Sequence, residues 1–333
     1  MSRCRLLHEA NVKPITLSIN PTYYCNLRCS FCYLTPEQLS DRQCLPLDIL
    51  RARIKEIQAA GYKVTHVDLY GGEVLLLPVH YLNDMKAMFH EMGIDDLVLI
   101  SNLTVVNEVA QDEDFELSVS YDFTAREKSD LVFGNMLTLE RTFNILTLAS
   151  RELLDCVGVD ELVQTFNMLT NVNCVEIKPY SENQANADRV TFKEFEKFVW
   201  DILTHPDRGF YFENESLIIK AAEGKRNAFS DDHLYITPTG EFAVLDFDLN
   251  DREFFLKVKN IEAYEAWCVE EKRRVSANSF CNGCQFKGKC LSEHLRDVKS
   301  LENSCNGFHD LLVKWVNYEG AASSKARNHS RLT

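Results

Sequence analysis

The chain has 333 residues, 45% of them apolar, which suits one large domain or a main domain with a small appendage. Its 50 acidic and 36 basic residues give a net charge of −14, which disfavours nonspecific nucleic-acid binding and suits a basic peptide or a small molecule. No run of about 18 apolar residues offers a membrane span, and the N-terminus lacks a signal peptide's apolar core and cleavage site, so a cytoplasmic protein is expected.

Residues 15–20 alternate as a strand does, and Pro21 ends the run. A cysteine-rich loop follows. Leu47, Leu50, Ile54 and Ile57 recur at helical spacing over 46–60, with Gly61 as the stop. A second strand is predicted over 64–70, and Gly71-Gly72-Glu73 stands at its C-terminal end. A helix over 79–92 leads to Gly93 and then to an apolar strand over 97–100. A short helix near 105–110 precedes a fourth strand at 115–121. The stretch 123–135 is polar and without periodicity, so a long loop is expected there. Strands at 143–149 and 173–178 flank a helix over 159–169. Six strand–helix alternations predict an α/β fold, a partial (β/α)6 parallel barrel. In such folds ligands gather at the carboxyl ends of the strands, where the cysteine loop and the Gly-Gly-Glu turn both fall.

After a polar loop (181–189) and a helix over 192–203 the pattern changes. Residues 235–245 read as a hairpin turning at Pro238-Thr239-Gly240, and a helix from about residue 263 leads to a second cysteine group. This places a barrel domain over 1–225, a smaller domain over 226–318 and a disordered tail over 319–333.

Twelve cysteines in a long chain without an export signal argue for metal binding in a reducing compartment rather than for disulfides. Cys25, Cys29 and Cys32 form one group, with Cys44 nearby. Cys281, Cys284, Cys290 and Cys305 form another. Cys4, Cys156, Cys174 and Cys268 are scattered and read as small buried hydrophobes. Thiolates are soft ligands, and sets at short spacing hold zinc or iron–sulfur clusters. Three thiolates on a four-iron cluster leave one iron open. Four make a complete set, which suits zinc as well as a cluster.

Cys25-x3-Cys29-x2-Cys32 after a first strand, with Tyr33 next, resembles the signature of the radical S-adenosylmethionine (SAM) enzymes. That resemblance implies a 4Fe-4S cluster on Cys25, Cys29 and Cys32 whose open iron is chelated by SAM. It also implies reductive cleavage of SAM to a 5′-deoxyadenosyl radical and abstraction of a hydrogen atom from substrate. Gly71-Gly72-Glu73 resembles the family's contact to the SAM amino group, since glycines let backbone approach a ligand closely. Polar residues at the ends of the third and fourth strands, with Asn102 and Ser120 preferred over Ser101, Ser118 and Asp122, match where the family holds the SAM ribose and carboxylate. Lys178 points to the same edge and reads equally as a carboxylate contact or a solvated lysine. Arg28 reads as structural.

The second group resembles the C-terminal auxiliary-cluster extension called SPASM, or Twitch in its shorter form. It departs from the full pattern at two positions, with His294 where Cys290-x3-Cys would end and Leu245 where Gly240-x4-Cys would end. The resemblance therefore implies one auxiliary 4Fe-4S cluster, on Cys281, Cys284, Cys290 and Cys305, with His294 on the surface. The leading expectation is an oxidoreductase that crosslinks or otherwise modifies a ribosomally made precursor peptide, fed by a flavodoxin- or ferredoxin-type electron donor. Only 24 residues precede Cys25, so leader binding is expected at the barrel edge or the C-terminal domain. The alternatives are a radical SAM isomerase or other modifying enzyme acting on a small molecule or nucleotide, and a noncatalytic iron–sulfur regulator.

Overall fold

A computed structural model describes residues 12–179, 190–229, 231–245, 255–292, 305 and 307–318. The expected strands form in the expected order. β1 (Lys13–Ile19), β2 (Tyr62–Leu69), β3 (Leu97–Ser101), β4 (Glu116–Ser120), β5 (Phe143–Leu148) and β6 (Val172–Lys178) lie side by side, every neighbouring pair parallel. Between them run α1 (Leu47–Ala59), α2 (Val79–Glu91), α3 (Ser129–Thr138) and α4 (Gly158–Asn167).

The two-residue period of each strand separates two faces. Ile15, Leu17 and Ile19 of β1 join Leu50, Ile54 and Ile57 of α1 and Leu82, Met85 and Phe89 of α2 in one continuous buried core. A fully buried leucine or isoleucine contributes about 1.5–3 kcal/mol, so the cysteine loop is strung between two firmly seated elements. The other face, the barrel interior, mixes Ser18, Asp68, Ser118, Ser120, Glu176 and Lys178 with Ile100, Leu146 and Leu148.

Beyond β6 come α5 (Phe192–Leu203) and α6 (Glu213–Ala222). Thr191 and Glu194 cap α5 reciprocally, the Thr191 hydroxyl accepting from the Glu194 amide while the Glu194 carboxylate accepts from the Thr191 amide. The hairpin is present as β7 (His233–Ile236) and β8 (Phe242–Leu245), extended by β9 (Phe255–Val258). β7 pairs in parallel with the free edge of β1, so a single nine-stranded sheet runs β6-β5-β4-β3-β2-β1-β7-β8-β9. α7 (Ile261–Ala277), the short α8 (Ser279–Gly283) and α9 (309–318) complete the described chain.

Two expectations are corrected. The stretch 123–135 is no long loop but a 3-10 turn at Phe123–Ala125 followed by α3. Its helical period is hidden because Leu131 and Leu137 are 47% and 59% exposed while Val132 and Met136 are buried, so the apolar positions do not fall on one stripe. Cys156 is exposed, not buried, in the π-helical turn Leu153–Val157 ahead of α4. Cys4, the 181–189 loop, His294 and the 319–333 tail lie outside the described residues.

Candidate functional site

The loop between β1 and α1 is fixed by its own hydrogen bonds. The Cys25 amide donates to Leu39 O at 3.1 Å, and the Cys32 amide closes a turn onto Cys29 O at 3.1 Å. Arg28 holds the turn, its Nη1 donating to the carbonyls of Cys25 and Leu27 at 2.7 Å each, a structural role as expected. Cys25, Cys29 and Cys32 are free and half-buried, and each lies within electrostatic range of another. Burial pushes all three thiols up, Cys29 to about 11.

Gly71 and Gly72 are also needed for the packing of the chain on itself. A Cβ on Gly71 would stand 2.6 Å from Thr22 O, and one on Gly72 2.1 Å from Tyr24 O. The close approach is to the chain's own backbone just before Cys25. The Gly72 amide donates to Thr22 O at 3.0 Å and the Glu73 amide to Tyr24 O at 2.8 Å, strapping this turn to the cysteine loop. Glu73 is fully buried. Its Oε1 accepts from Ser101 Oγ at 2.7 Å and the Leu75 amide at 3.0 Å, and its Oε2 from the Asn102 amide at 2.7 Å. Burial raises its carboxyl above the usual range against these three donors. Glu73 thus ties the end of β2 to the end of β3, beneath the cavity rather than on its wall.

That cavity, about 280 Å³, opens at the carboxyl edge of the sheet. The three cysteines, Tyr33, Gly71, Gly72, Asn102, Ser120 and Lys178 all line it, so the strand ends bring together nearly every expected contact. Ser118 is buried away from it and Ser101 is partly occupied by Glu73. The Tyr33 hydroxyl donates to Gly71 O at 3.5 Å. Asn102 also reaches back to the loop, its Nδ2 lying 3.7 Å from Cys25 Sγ and 3.2 Å from Asn26 Oδ1. Lys178 Nζ pairs with Glu176 at 2.7 Å.

The sequence reading weighed Asp122 only as one of the polar residues ending the fourth strand and missed Arg126; both are on the cavity wall. Asp122 Oδ2 accepts from Arg126 Nε at 2.7 Å, and its Oδ1 accepts from the Leu148 amide of β5 at 2.5 Å. Arg126 Nη1 lies 3.8 Å from Cys29 Sγ. An Asp-x3-Arg pair directly after the fourth strand is the signal that could have joined them. Left-handed backbone is concentrated here too. Among the described residues the non-glycine positive-φ positions are Leu103 (50°), Phe123 (52°), Lys128 (59°) and Phe308 (54°), each within two residues of Asn102, Asp122, Arg126 or Gly307. Such conformations cost on the order of 1–3 kcal/mol and persist where the surroundings fix them.

The second cysteine group is tighter. Cys281, Cys284, Cys290 and Cys305 line a cavity of about 30 Å³ with Gly288 and Gly307. The Gly307 amide donates to Cys305 Sγ at 3.3 Å and the Phe286 amide to Cys284 Sγ at 3.4 Å. A Cβ on Gly307 would stand 2.6 Å from Cys290 Sγ, so this position fits only glycine. Burial pushes Cys290 up to about 11. Among the described residues no three His, Cys, Asp or Glu side chains are arranged to hold a single metal ion.

The fold, a mostly parallel α/β sheet curled into a partial barrel, is shared with solved structures. No protein-family model and no curated protein matches the sequence. Among solved structures, native anSMEcpe with bound AdoMet superposes with a TM-score of 0.67 at 14% identity, covering 95% of this chain and 100% of that one. The same protein with AdoMet and the Cp18Cys peptide gives 0.64 at 14% identity over 95% and 99%. SuiB of Streptococcus suis bound to its precursor peptide SuiA gives 0.56 at 16% identity over 84% and 71%. Among the described residues no helix is long and apolar enough to cross a membrane.

Proposed function

We propose that this chain is a radical SAM oxidoreductase that modifies a ribosomally made peptide. The observation that carries the reading is the shared cavity, in which three thiols and the ends of β2 to β6 face one space. A 4Fe-4S cluster on Cys25, Cys29 and Cys32 would supply an open iron for SAM and the electron that cleaves it. The thiols border a cavity instead of converging on a point, which suits a cluster whose irons each take one sulfur better than a single shared ion. Gly71 and Gly72 offer backbone for the SAM amino group, with Glu73 holding that turn from below. Ser120, Asn102 and Tyr33 supply polar and aromatic contacts along the same wall.

Cys281, Cys284, Cys290 and Cys305 form a complete thiolate set that would hold an auxiliary 4Fe-4S cluster, able to accept the second electron of an oxidative modification. A flavodoxin- or ferredoxin-type donor would supply the first, in a reducing, cytoplasmic setting. Peptide substrates are favoured because anSMEcpe and SuiB, which share the fold, are each solved with a peptide bound.

The test is anaerobic reconstitution with iron and sulfide counted per chain, alongside SAM and dithionite with 5′-deoxyadenosine measured. About eight irons and formation of deoxyadenosine are expected. About four irons plus zinc would make the second site a structural zinc site, and no deoxyadenosine would overturn the proposal. A mass change in a co-incubated precursor peptide encoded beside this protein would establish the substrate class. Modification of a nucleotide or sugar instead would contradict it.

A further inference from the structure

Two side chains from outside the cysteine loop reach its sulfurs, and they differ in charge. Asn102 Nδ2 faces Cys25 Sγ at 3.7 Å and is neutral, whereas Arg126 Nη1 faces Cys29 Sγ at 3.8 Å and is a cation. The guanidinium is held on its other sides. Nε donates to Asp122 Oδ2 at 2.7 Å, Nη2 lies 2.5 Å from the same oxygen, and the plane sits over the Phe31 ring at 5.3 Å. Asp122 is itself fixed by the Leu148 amide. The Asp122 side chain is 2% exposed and that of Arg126 15%.

A buried ion pair is a poor way to gain stability, since its desolvation offsets most of the attraction. If the pair only stapled the turn after β4 to β5, Nη1 would have no reason to face a sulfur. Its orientation brings the guanidinium against Cys29, where its charge outweighs that of the Asp122 carboxylate, which also lies within electrostatic range of the sulfur. Hydrogen bonds and positive charge at cluster sulfurs favour the reduced state, because the added electron makes the cluster more negative. This is strongest where water is excluded.

Resting on the function proposed above, we propose that Arg126 is a positioning residue that raises the reduction potential of the cluster at Cys25, Cys29 and Cys32. It thereby holds the one-electron-reduced state within reach of a flavodoxin- or ferredoxin-type donor. The step is a single electron moving from that donor onto the cluster, with no bond made or broken. Asp122 aims the guanidinium and Phe31 backs it.

The test is a potentiometric titration of the reconstituted full-length protein, followed by electron paramagnetic resonance without SAM. The first-site signal is identified as the one that changes when SAM is added to a reduced sample. Arg126→Gln is expected to keep its iron content while the midpoint of that signal moves to a more negative potential. Arg126→Lys keeps the charge but cannot reach Asp122 and Cys29 together, so a smaller negative shift is expected, and it decides the matter if Arg126→Gln takes up no iron. An intact signal with an unmoved midpoint in either variant overturns the inference. So does weakened SAM binding in Arg126→Gln without a midpoint shift, which would make Arg126 a SAM contact alone. A wild-type protein with no SAM-responsive signal would instead overturn the function proposed above, and this inference with it.

Discussion

The two cysteine groups solve opposite problems with the same ligand. The first has three thiols on a loop between the first strand and helix, bordering a cavity of about 280 Å³ walled by strand ends. The second has four thiols around about 30 Å³, closed by glycines and backbone amides. On the function proposed above, three ligands beside a roomy cavity would leave coordination for something else to complete, and a full set in a tight space would keep its metal to itself. The difference teaches that ligand number and free volume together, more than the cysteines themselves, separate a reactive centre from a holding one.

The comparison can be broken first at the open site. Cys29→Ala should lose about four irons per chain and reduce 5′-deoxyadenosine formation to background; full turnover in that variant would end the assignment. Gly72→Ala should act nearly as strongly through packing. Its Cβ would stand 2.1 Å from Tyr24 O, so the strap to the loop must shift. A cost of about 1–3 kcal/mol is expected, read as a lowered Tm together with reduced iron uptake at the first site.

At the closed site the expected effect is narrower. Gly307→Ala displaces Cys290 Sγ, and Cys284→Ala removes a ligand. Either should lose the second metal centre and lower product formation while SAM cleavage without product persists. Unchanged iron content in Cys284→Ala would show that the second group holds no cluster.

The smallest effect lies on the barrel floor, away from both groups, and serves as their control. His66 Nε2 lies 3.1 Å from Asp68 Oδ1 and Nδ1 3.0 Å from Asp96 Oδ2. The hydrogen bond to Asp68 is the main cause that raises its imidazole to about 9. A folded-state value above the unfolded one means this stabilisation is full below about pH 6.5 and is lost as pH rises through about 9. Thermal melts should fall by a few degrees across that window, corresponding to about 1 kcal/mol, and His66→Gln should flatten the slope. A slope that persists in His66→Gln would place the titrating group elsewhere.

Most of the barrel was legible in the sequence because its signals are local. Apolar alternation marked β1, the spacing of Leu50, Ile54 and Ile57 marked α1, and the cysteines mark themselves by spacing. What stayed hidden depends on tertiary contact. α3 carries apolar residues on more than one side, two of them exposed, so no stripe announces it. Arg126 then fell inside a supposed loop, although its guanidinium is among the nearest charges to the first thiols. The Gly-Gly-Glu turn was found for its proximity to ligand. That its glycines also clear Thr22 and Tyr24, and that its glutamate holds Ser101 and Asn102, no local pattern announces. Nor does any local pattern say that β7 would pair with β1, His233 beside Thr16 and Tyr235 beside Ser18, and continue the same sheet.

The central claim is that the three-thiol site is open and the four-thiol site closed. Electron–nuclear double resonance on the reduced, reconstituted protein with SAM labelled at its methionine nitrogen and carboxylate oxygens tests it most directly. The account predicts coupling of both labels to a cluster in the full-length protein and in Cys284→Ala, and none in Cys29→Ala. Coupling that survives in Cys29→Ala but disappears in Cys284→Ala would put SAM at the wrong site and contradict it.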